Sequence, residues 1–208
     1  MTLSENKKRV RRMGKILVKL FPDADGTELH YTKPWQLLIA VILSAQCTDK
    51  KVNEVTQELF KKYTTLASVA HAEQSEFEKD IYSTGFYRAK TKNILGMAKL
   101  LQEKFGGKVP RTMKDILTLP GVARKTANVV LGNLYNVVEG ITVDTHVIRL
   151  SRQLGLTTHT NPVKIEQDLM QIISKNEWFR FSNLLVLYGR YLCGAKRHDH
   201  QKCPLANI

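Results

Sequence analysis

Two residues of this chain, Lys125 and Asp144, have types and positions suited to chemistry. Lys125 follows the turn-forming pair Pro120-Gly121 and lies in the first turn of a helix that we predict from Ala123 to Leu134. The positive end of a helix disfavours a cation, so a lysine there needs an explanation. A lysine amine that has lost its proton is a nucleophile, and a carboxylate can stabilise positive charge that develops during a reaction.

Both residues also have simpler interpretations. Lys125 can bind a phosphate through its charge, and Asp144 can cap the helix that we predict from Thr145 to Leu154. Capping does not exclude catalysis, because one carboxylate can do both. The two residues alone therefore leave a catalytic pair and a structural pair open.

The elements that must position these residues are predicted to be helices. Apolar residues recur at three- and four-residue spacing, whereas the β-branched runs Val137-Val138 and Ile141-Thr142-Val143 are too short to build a sheet. We predict an all-α protein, in which the segment Pro22-Asp23-Ala24-Asp25-Gly26 ends the first helix. The predicted helices cover residues 6–21, 35–46, 50–63, 66–72, 74–82, 89–105, 112–117, 123–134, 145–154, 162–175 and 178–192.

Charge is the unusual feature of the composition. A net charge of +13 and a pI near 9.7 indicate a polyanionic partner, either nucleic acid or an anionic membrane surface. The longest apolar run, Leu37 to Leu43, has seven residues, against the roughly 20 that a membrane helix needs. We find no secretion signal, and three cysteines do not make a disulfide framework, so we expect a reducing compartment.

The first predicted helix is basic and amphipathic. Its cations either face phosphate or simply form a solvated surface, and the pattern does not decide between the two. They are Lys7, Lys8, Arg9, Arg11 and Arg12.

The strongest motif in the sequence is a helix-hairpin-helix. A short helix, the turn Leu119-Pro120-Gly121-Val122 and a second helix can hold a phosphate on backbone amides without reading sequence. Residues 119–128, LPGVARKTAN, followed downstream by Val143-Asp144-Thr145-His146, closely resemble the helix-hairpin-helix DNA glycosylases, in particular the endonuclease III family. The resemblance extends from the Trp35 helix to Cys193.

The resemblance implies a fold and an activity. It implies two helical lobes with a DNA-binding cleft: a six-helix bundle at 27–137 that includes the hairpin, and a terminal domain of 1–26 plus 138–208 with a degenerate iron–sulfur loop. The implied activity is base-excision repair of oxidised pyrimidines in duplex DNA, with abasic-site cleavage by β-elimination. We expect a monomer that binds double-stranded damaged DNA and no membrane, in the cytoplasm with the nucleoid if the organism is a prokaryote.

The resemblance also assigns catalytic roles. Lysine at position 125 favours the bifunctional class, in which the amine attacks C1′, expels the base and forms a Schiff base. Asp144 would stabilise the oxocarbenium character of the sugar. Desolvation and the neighbouring charge of Arg124 would favour the neutral amine that this attack requires.

Further residues are implied to bind DNA. Gln46 matches a family glutamine that enters the space left by the extruded base, and Phe86 stands where the family commonly has a wedging leucine. Their simpler interpretations are a polar residue at a helix end and a core aromatic. Ala123 replaces a common glycine, which we expect to be tolerated if the residue is helical. The remaining candidates are Leu119, Gly121, Ala123, Arg124, Thr126 and His146, the last also a candidate for fold support.

The tail departs from the family pattern. Many endonuclease III proteins hold a [4Fe-4S] cluster on four cysteines; here Cys193 and Cys203 match the first and third, His200 takes the second position and the fourth lies just beyond Ile208. The ligand set is incomplete, so we expect loss of any metal, and the chemistry itself requires no cofactor. A mixed Zn²⁺ site that adds His198 is the less favoured alternative.

The same loop is basic. It carries Lys196, Arg197 and Lys202, which could contact DNA.

Two alternative functions stay open. One is a glycosylase for another base, such as an oxidised purine or a mismatched thymine. The other is a non-catalytic protein that uses the hairpin only to bind phosphate. Lys125 together with Asp144 favours an enzyme, because phosphate binding does not need that pair.

Overall fold

The computed structural model describes residues 3–22, 24, 26–196 and 198–208, and within those ranges it has helices and no strand. The predicted all-α class is confirmed. Asp23 and Asp25 of the predicted helix-ending segment lie outside the described residues. The α-helices are α1 (Leu3–Leu20), α2 (Pro34–Leu43), α3 (Asp49–Lys62), α4 (Leu66–Ala70), α5 (Gln74–Asp80), α6 (Tyr87–Phe105), α7 (Met113–Ile116), α8 (Arg124–Tyr135), α9 (Thr145–Gln153), α10 (Pro162–Ile172) and α11 (Trp178–Tyr191).

The chain forms two compact units. The central unit is Glu28–Val137, and the terminal unit is Met1–Thr27 together with Val138–Ile208. Each has its own apolar core, so each can hold its functional side chains on packed helices. No helix within the described ranges is both long and apolar enough to cross a membrane.

Helix α2 is the centre of the central unit. Every residue from Trp35 to Leu43 is buried, and the helix packs against α3, α6 and α8. Pro34 starts it, and the Gln36 side chain accepts hydrogen bonds from the backbone amides of Thr32 and Lys33, both at 2.9 Å. Helix α8, which carries Lys125, therefore packs against the most buried helix of this unit.

Helix α2 ends earlier than predicted. The prediction extended it to Gln46, but the helix stops at Leu43 and the chain turns at once. Gln46 has φ +54°, a left-handed conformation that cannot continue an α-helix. Residues 44–48 are consequently a loop at the carboxyl end of a rigid helix.

The terminal unit joins both ends of the chain. Helix α1 packs against α10 and α11, and α11 packs against α9. Met13, Leu17, Leu150, Leu185 and Tyr188 are fully buried in its core. Helix α9, which begins directly after Asp144, is thus fixed by helices from distant parts of the sequence.

Candidate active site

The turn of the hairpin requires a glycine at position 121. Gly121 has φ +77°, and a Cβ built there would lie 2.8 Å from the Asn93 Cβ on α6. The Val122 amide donates to the Leu119 carbonyl at 3.2 Å, which closes the turn, and the Leu119 side chain is buried. The turn between α7 and α8 is therefore held tightly against α6.

Helix α8 begins without the usual capping groups. Its N-cap residue Ala123 makes no side-chain cap, and the first turn contains no acidic residue. Arg124 and Lys125 occupy the first two helical positions and are exposed, with Thr126 half-buried behind them. The positive end of the helix dipole and two exposed cations thus coincide at this helix start, a combination that favours the binding of an anion.

Ala123 corrects one expectation. We expected alanine to be tolerated because the residue would be helical, but Ala123 is extended, with φ −92° and ψ 171°. Alanine fits for another reason: a negative φ does not require glycine.

Gln46 and Phe86 lie on two loops of the central unit, both exposed and both strained. Their φ values are +54° and +48°, and Phe86 exposes 65% of its surface, so it is not the core aromatic of the alternative interpretation. A left-handed conformation of a non-glycine residue costs about 1–3 kcal/mol and persists only where the surroundings impose it. Such strain is typical of residues held in place for binding.

A buried lysine joins these two loops. Lys90 is 4% exposed, and its Nζ donates to the Leu43 carbonyl at 2.7 Å and to the Thr84 carbonyl at 2.8 Å. Leu43 is three residues before Gln46 and Thr84 is two before Phe86. Burial lowers the pKa of Lys90 below its ordinary value. Lys90 therefore fixes the two loops relative to each other.

Sequence reasoning missed Lys90, although a signal was present. The residue falls in register with the apolar stripe Ile94, Met97 and Leu101 of α6. A lysine on an apolar stripe must find acceptors when it is buried, since an unpaired buried charge is costly.

In the terminal unit, Asp144 caps α9. Its Oδ1 accepts a hydrogen bond from the Val147 amide at 2.8 Å, and the residue is half-buried. The capping role considered from the sequence is therefore present. It employs one of the two carboxylate oxygens.

His146, in the first turn of α9, packs inside the terminal unit. A Cβ added to Gly189 of α11 would lie 2.7 Å from the His146 Nδ1, so the ring occupies the space that this glycine leaves. Burial lowers the pKa of His146, Asp144 opposes this, and Arg190 and Arg149 add to it. The packing indicates a role in the fold, while contact with DNA stays a prediction.

The tail contains four potential metal ligands, which we call the Cys/His group: Cys193, His198, His200 and Cys203. One donor atom from each lies within 4.8 Å of the other three. Two thiols and two imidazoles do not fit the four thiolates of a [4Fe-4S] cluster, but they can hold a metal ion. Lys196 and Lys202 of the loop are exposed, and Arg197 lies outside the described residues.

Comparison with known proteins identifies the family. Residues 39–175 match the model of the HhH-GPD superfamily base excision DNA repair proteins. Endonuclease III of Synechocystis is 47% identical over 206 residues, covering 99% of this chain and 94% of that protein. The chain therefore belongs to the HhH-GPD superfamily of base excision DNA repair proteins, and its family within that group is endonuclease III.

Solved structures agree with the sequence comparison. A non-covalent endonuclease III–DNA complex and a trapped endonuclease III–DNA covalent intermediate each match with a TM-score of 0.90 and 42% identity. Each match covers 99% of this chain and 94% of the other. The helix-hairpin-helix glycosylase fold and the resemblance read from the sequence are confirmed.

Proposed function

We propose that this protein is a bifunctional DNA glycosylase that removes oxidised pyrimidines from duplex DNA and cleaves the resulting abasic site by β-elimination. One observation carries the proposal: an exposed lysine at the uncapped start of α8, in a chain 42% identical to an endonuclease III trapped covalently on DNA. It acts as a monomer and needs no cofactor for the chemistry. We place it in the cytoplasm with the nucleoid if the organism is a prokaryote.

Lys125 is the proposed nucleophile. Its neutral Nζ attacks C1′, the N–C1′ bond forms as the glycosidic bond breaks, and the base leaves with a proton. The attached nitrogen then loses one proton, the C1′–O4′ bond breaks as O4′ takes up a proton, and a protonated Schiff base remains. Loss of a C2′ proton breaks the C3′–O bond and releases the 3′ phosphate.

Asp144 is the proposed electrostatic partner. A carboxylate stabilises positive charge on the sugar as the glycosidic bond breaks, and it can carry protons to and from the amine. The cap on α9 employs Oδ1 and fixes the carboxylate on a packed helix. Capping supports this role, because a catalytic group must be held still.

DNA binding is proposed to rest on the hairpin and the two strained loops. Backbone amides at Gly121 and Ala123, with Arg124 and Thr126, hold a phosphate, and buried Leu119 fixes the turn. Gln46 enters the space left by the extruded base and Phe86 wedges between bases, at an extrusion cost of a few kcal/mol. His146 contributes from the start of α9.

Borohydride trapping tests the proposal. The protein is incubated with duplex DNA carrying thymine glycol or an abasic site, borohydride is added, and covalent adducts are separated on a denaturing gel. We expect an adduct on both substrates that is lost in Lys125→Ala. The matched control is Lys61→Ala, an exposed lysine of α3 in the same unit, which should trap like the unchanged protein.

The outcomes separate the alternatives. An adduct on the abasic site together with oxidised-purine or mismatch DNA, but not thymine glycol, would indicate a glycosylase for another base. DNA binding without an adduct on any lesion would reduce the protein to a phosphate-binding module. An adduct that persists in Lys125→Ala would place the nucleophile elsewhere.

A further inference from the structure

The Cys/His group converges on one point at the end of the chain. Cys193 and Cys203 are buried, His200 is half-buried and His198 is exposed. The Cys193 Sγ lies 3.4 Å from the His200 Nδ1, and the Cys203 Sγ lies 3.2 Å from the His198 Nε2. Four ligating atoms from residues spread over the loop thus face one another. We propose that this group holds a single four-coordinate Zn²⁺ in place of an iron–sulfur cluster.

The distances suit one ion. Zn²⁺ binds sulfur at about 2.3 Å and imidazole nitrogen at about 2.0–2.1 Å in a tetrahedron, which places such donors roughly 3.3–3.8 Å apart. The two sulfur–nitrogen separations of 3.4 and 3.2 Å are close to this range, and the whole group spans at most 4.8 Å. In a [4Fe-4S] cluster each of the four thiolates binds a different iron, so the sulfur atoms lie farther apart than they would around a single ion.

The hydrogen bonds of His198 prepare it as a ligand. Its Nδ1 lies 2.8 Å from the Lys196 carbonyl oxygen. A carbonyl oxygen only accepts, so Nδ1 carries a proton and Nε2 is the ring nitrogen left to bind a metal. That Nε2 is the atom that faces the Cys203 sulfur. An outer hydrogen bond of this kind, which fixes tautomer and ring orientation, is typical of metal-binding histidines.

The backbone holds both thiols in place around the loop. The Cys193 amide donates to the Tyr188 carbonyl at 2.8 Å, and the Cys203 amide donates to the His200 carbonyl at 3.0 Å. The Leu205 amide donates to the Tyr188 hydroxyl at 3.2 Å, and Arg149 donates to the Cys193 carbonyl at 2.5 Å. The two thiols are free rather than joined in a disulfide. A Zn²⁺ here would close the loop that presents Lys196 and Lys202 and so fix the end of the terminal unit.

Metal content of the full chain is the first test. The protein is purified under reducing conditions without chelator, freed of any histidine tag, and measured by inductively coupled plasma mass spectrometry and visible absorption. We expect about one zinc per chain, no iron and no visible absorption. Iron with a broad visible band, or a chain that neither contains zinc nor takes it up, would overturn the proposal.

Cobalt substitution tests the ligands themselves. Co²⁺ added to chelator-treated protein should give the absorption of a tetrahedral site with thiolate ligands, and Zn²⁺ should displace it. In His198→Gln we expect the metal affinity to fall by more than the ~10–100-fold that loss of an outer hydrogen bond costs. Far-ultraviolet circular dichroism checks that the variant is folded.

A matched histidine provides the control. His71 is exposed and its Nδ1 lies 2.9 Å from the Ala67 carbonyl, the same hydrogen bond as in His198, but it lies outside the Cys/His group. His71→Gln should keep the full zinc content and the cobalt spectrum. Zinc retained equally in both variants would refute this assignment of ligands.

Discussion

Helices α8 and α9 begin in opposite ways. Helix α8 starts on Ala123, makes no side-chain cap, has no acid in its first turn and carries Arg124 and Lys125 there. Helix α9 starts on Asp144, whose carboxylate accepts from the Val147 amide. A negative cap stabilises a helix start and two cations destabilise it. Capping accounts for the start of α9, whereas the start of α8 has no side-chain cap and carries two exposed cations.

Helix α6 shows a third arrangement. It also lacks a side-chain cap and an acidic residue in its first turn, and its N-cap residue Phe86 is left-handed. Of the two cations near its start, Arg88 is exposed, whereas Lys90 is buried and donates to two backbone carbonyls. The start of α6 thus includes a buried lysine that links two loops, whereas both cations at the start of α8 are exposed.

Substitution of Asp144 has the largest expected effect on base excision. It also distinguishes the capping role of this residue from its proposed catalytic role. Asparagine is as good an N-cap as aspartate but has no charge. In Asp144→Asn we expect the unfolding free energy to stay within ~0.5 kcal/mol of the unchanged protein while base excision falls by ~10²–10³-fold. In Asp144→Ala we expect the same loss of base excision. The unfolding free energy should also fall by ~0.5–2 kcal/mol, because the cap on α9 is removed.

Urea denaturation and single-turnover excision measure the two effects. An Asp144→Asn variant that excises at the normal rate would leave Asp144 with capping alone. The helix starts would then differ in stability and not in chemistry.

Lys90 should have the largest effect on stability alone. Lys90→Met keeps the apolar stem but leaves the Leu43 and Thr84 carbonyls buried without their donor, so the unfolding free energy should fall by ~1–3 kcal/mol. Affinity for lesion DNA should fall as well, since Gln46 and Phe86 lose their common support. The control is Lys92→Met on the exposed face of the same helix, expected to be near neutral.

A Lys90→Met variant as stable as the unchanged protein would contradict the positioning role. In that case the strain at Gln46 and Phe86 would have another source. Urea midpoints and fluorescence anisotropy with lesion DNA decide between these outcomes.

Local sequence predicted the two helix starts better than it predicted the contacts between distant segments. Lys125 in a first turn and Asp144 before a helix follow from turn and capping residues that lie next to each other in the chain. The Lys90 bond to Leu43 spans 47 positions, and no local pattern specifies it. The apolar run 37–43 ends where α2 ends, so the change to small and polar residues from Ser44 was a local signal that the prediction to Gln46 did not use.

The C-terminal tail also shows which ligands sequence spacing can predict. Spacing against the family pattern singled out Cys193, His200 and Cys203, because those positions align with cysteines. His198 aligns with none of them, and its place in the group depends on how the loop folds back. The sequence named His198 only in a less favoured alternative, and the structure brings its Nε2 next to the Cys203 Sγ.

Substitution of Ala123 has the smallest expected effect on stability, and it compares the start of α8 directly with the start of α9. Its extended backbone, φ −92° and ψ 171°, is that of an N-cap, so a serine there can cap α8 without rearrangement. Ala123→Ser should raise the unfolding free energy by about 1 kcal/mol, whereas the control Ala89→Ser within α6 should lose ~0.5 kcal/mol.

An aspartate at the same position distinguishes stability from function. Ala123→Asp should cap α8 as serine does, but it places a negative charge where we expect a DNA phosphate. We therefore expect Ala123→Ser to bind duplex DNA normally and Ala123→Asp to bind it at least several-fold more weakly, with the difference shrinking at high salt. Equal binding by the two variants would mean that no phosphate lies at the start of α8. The missing cap would then be a stability defect and not a consequence of DNA binding.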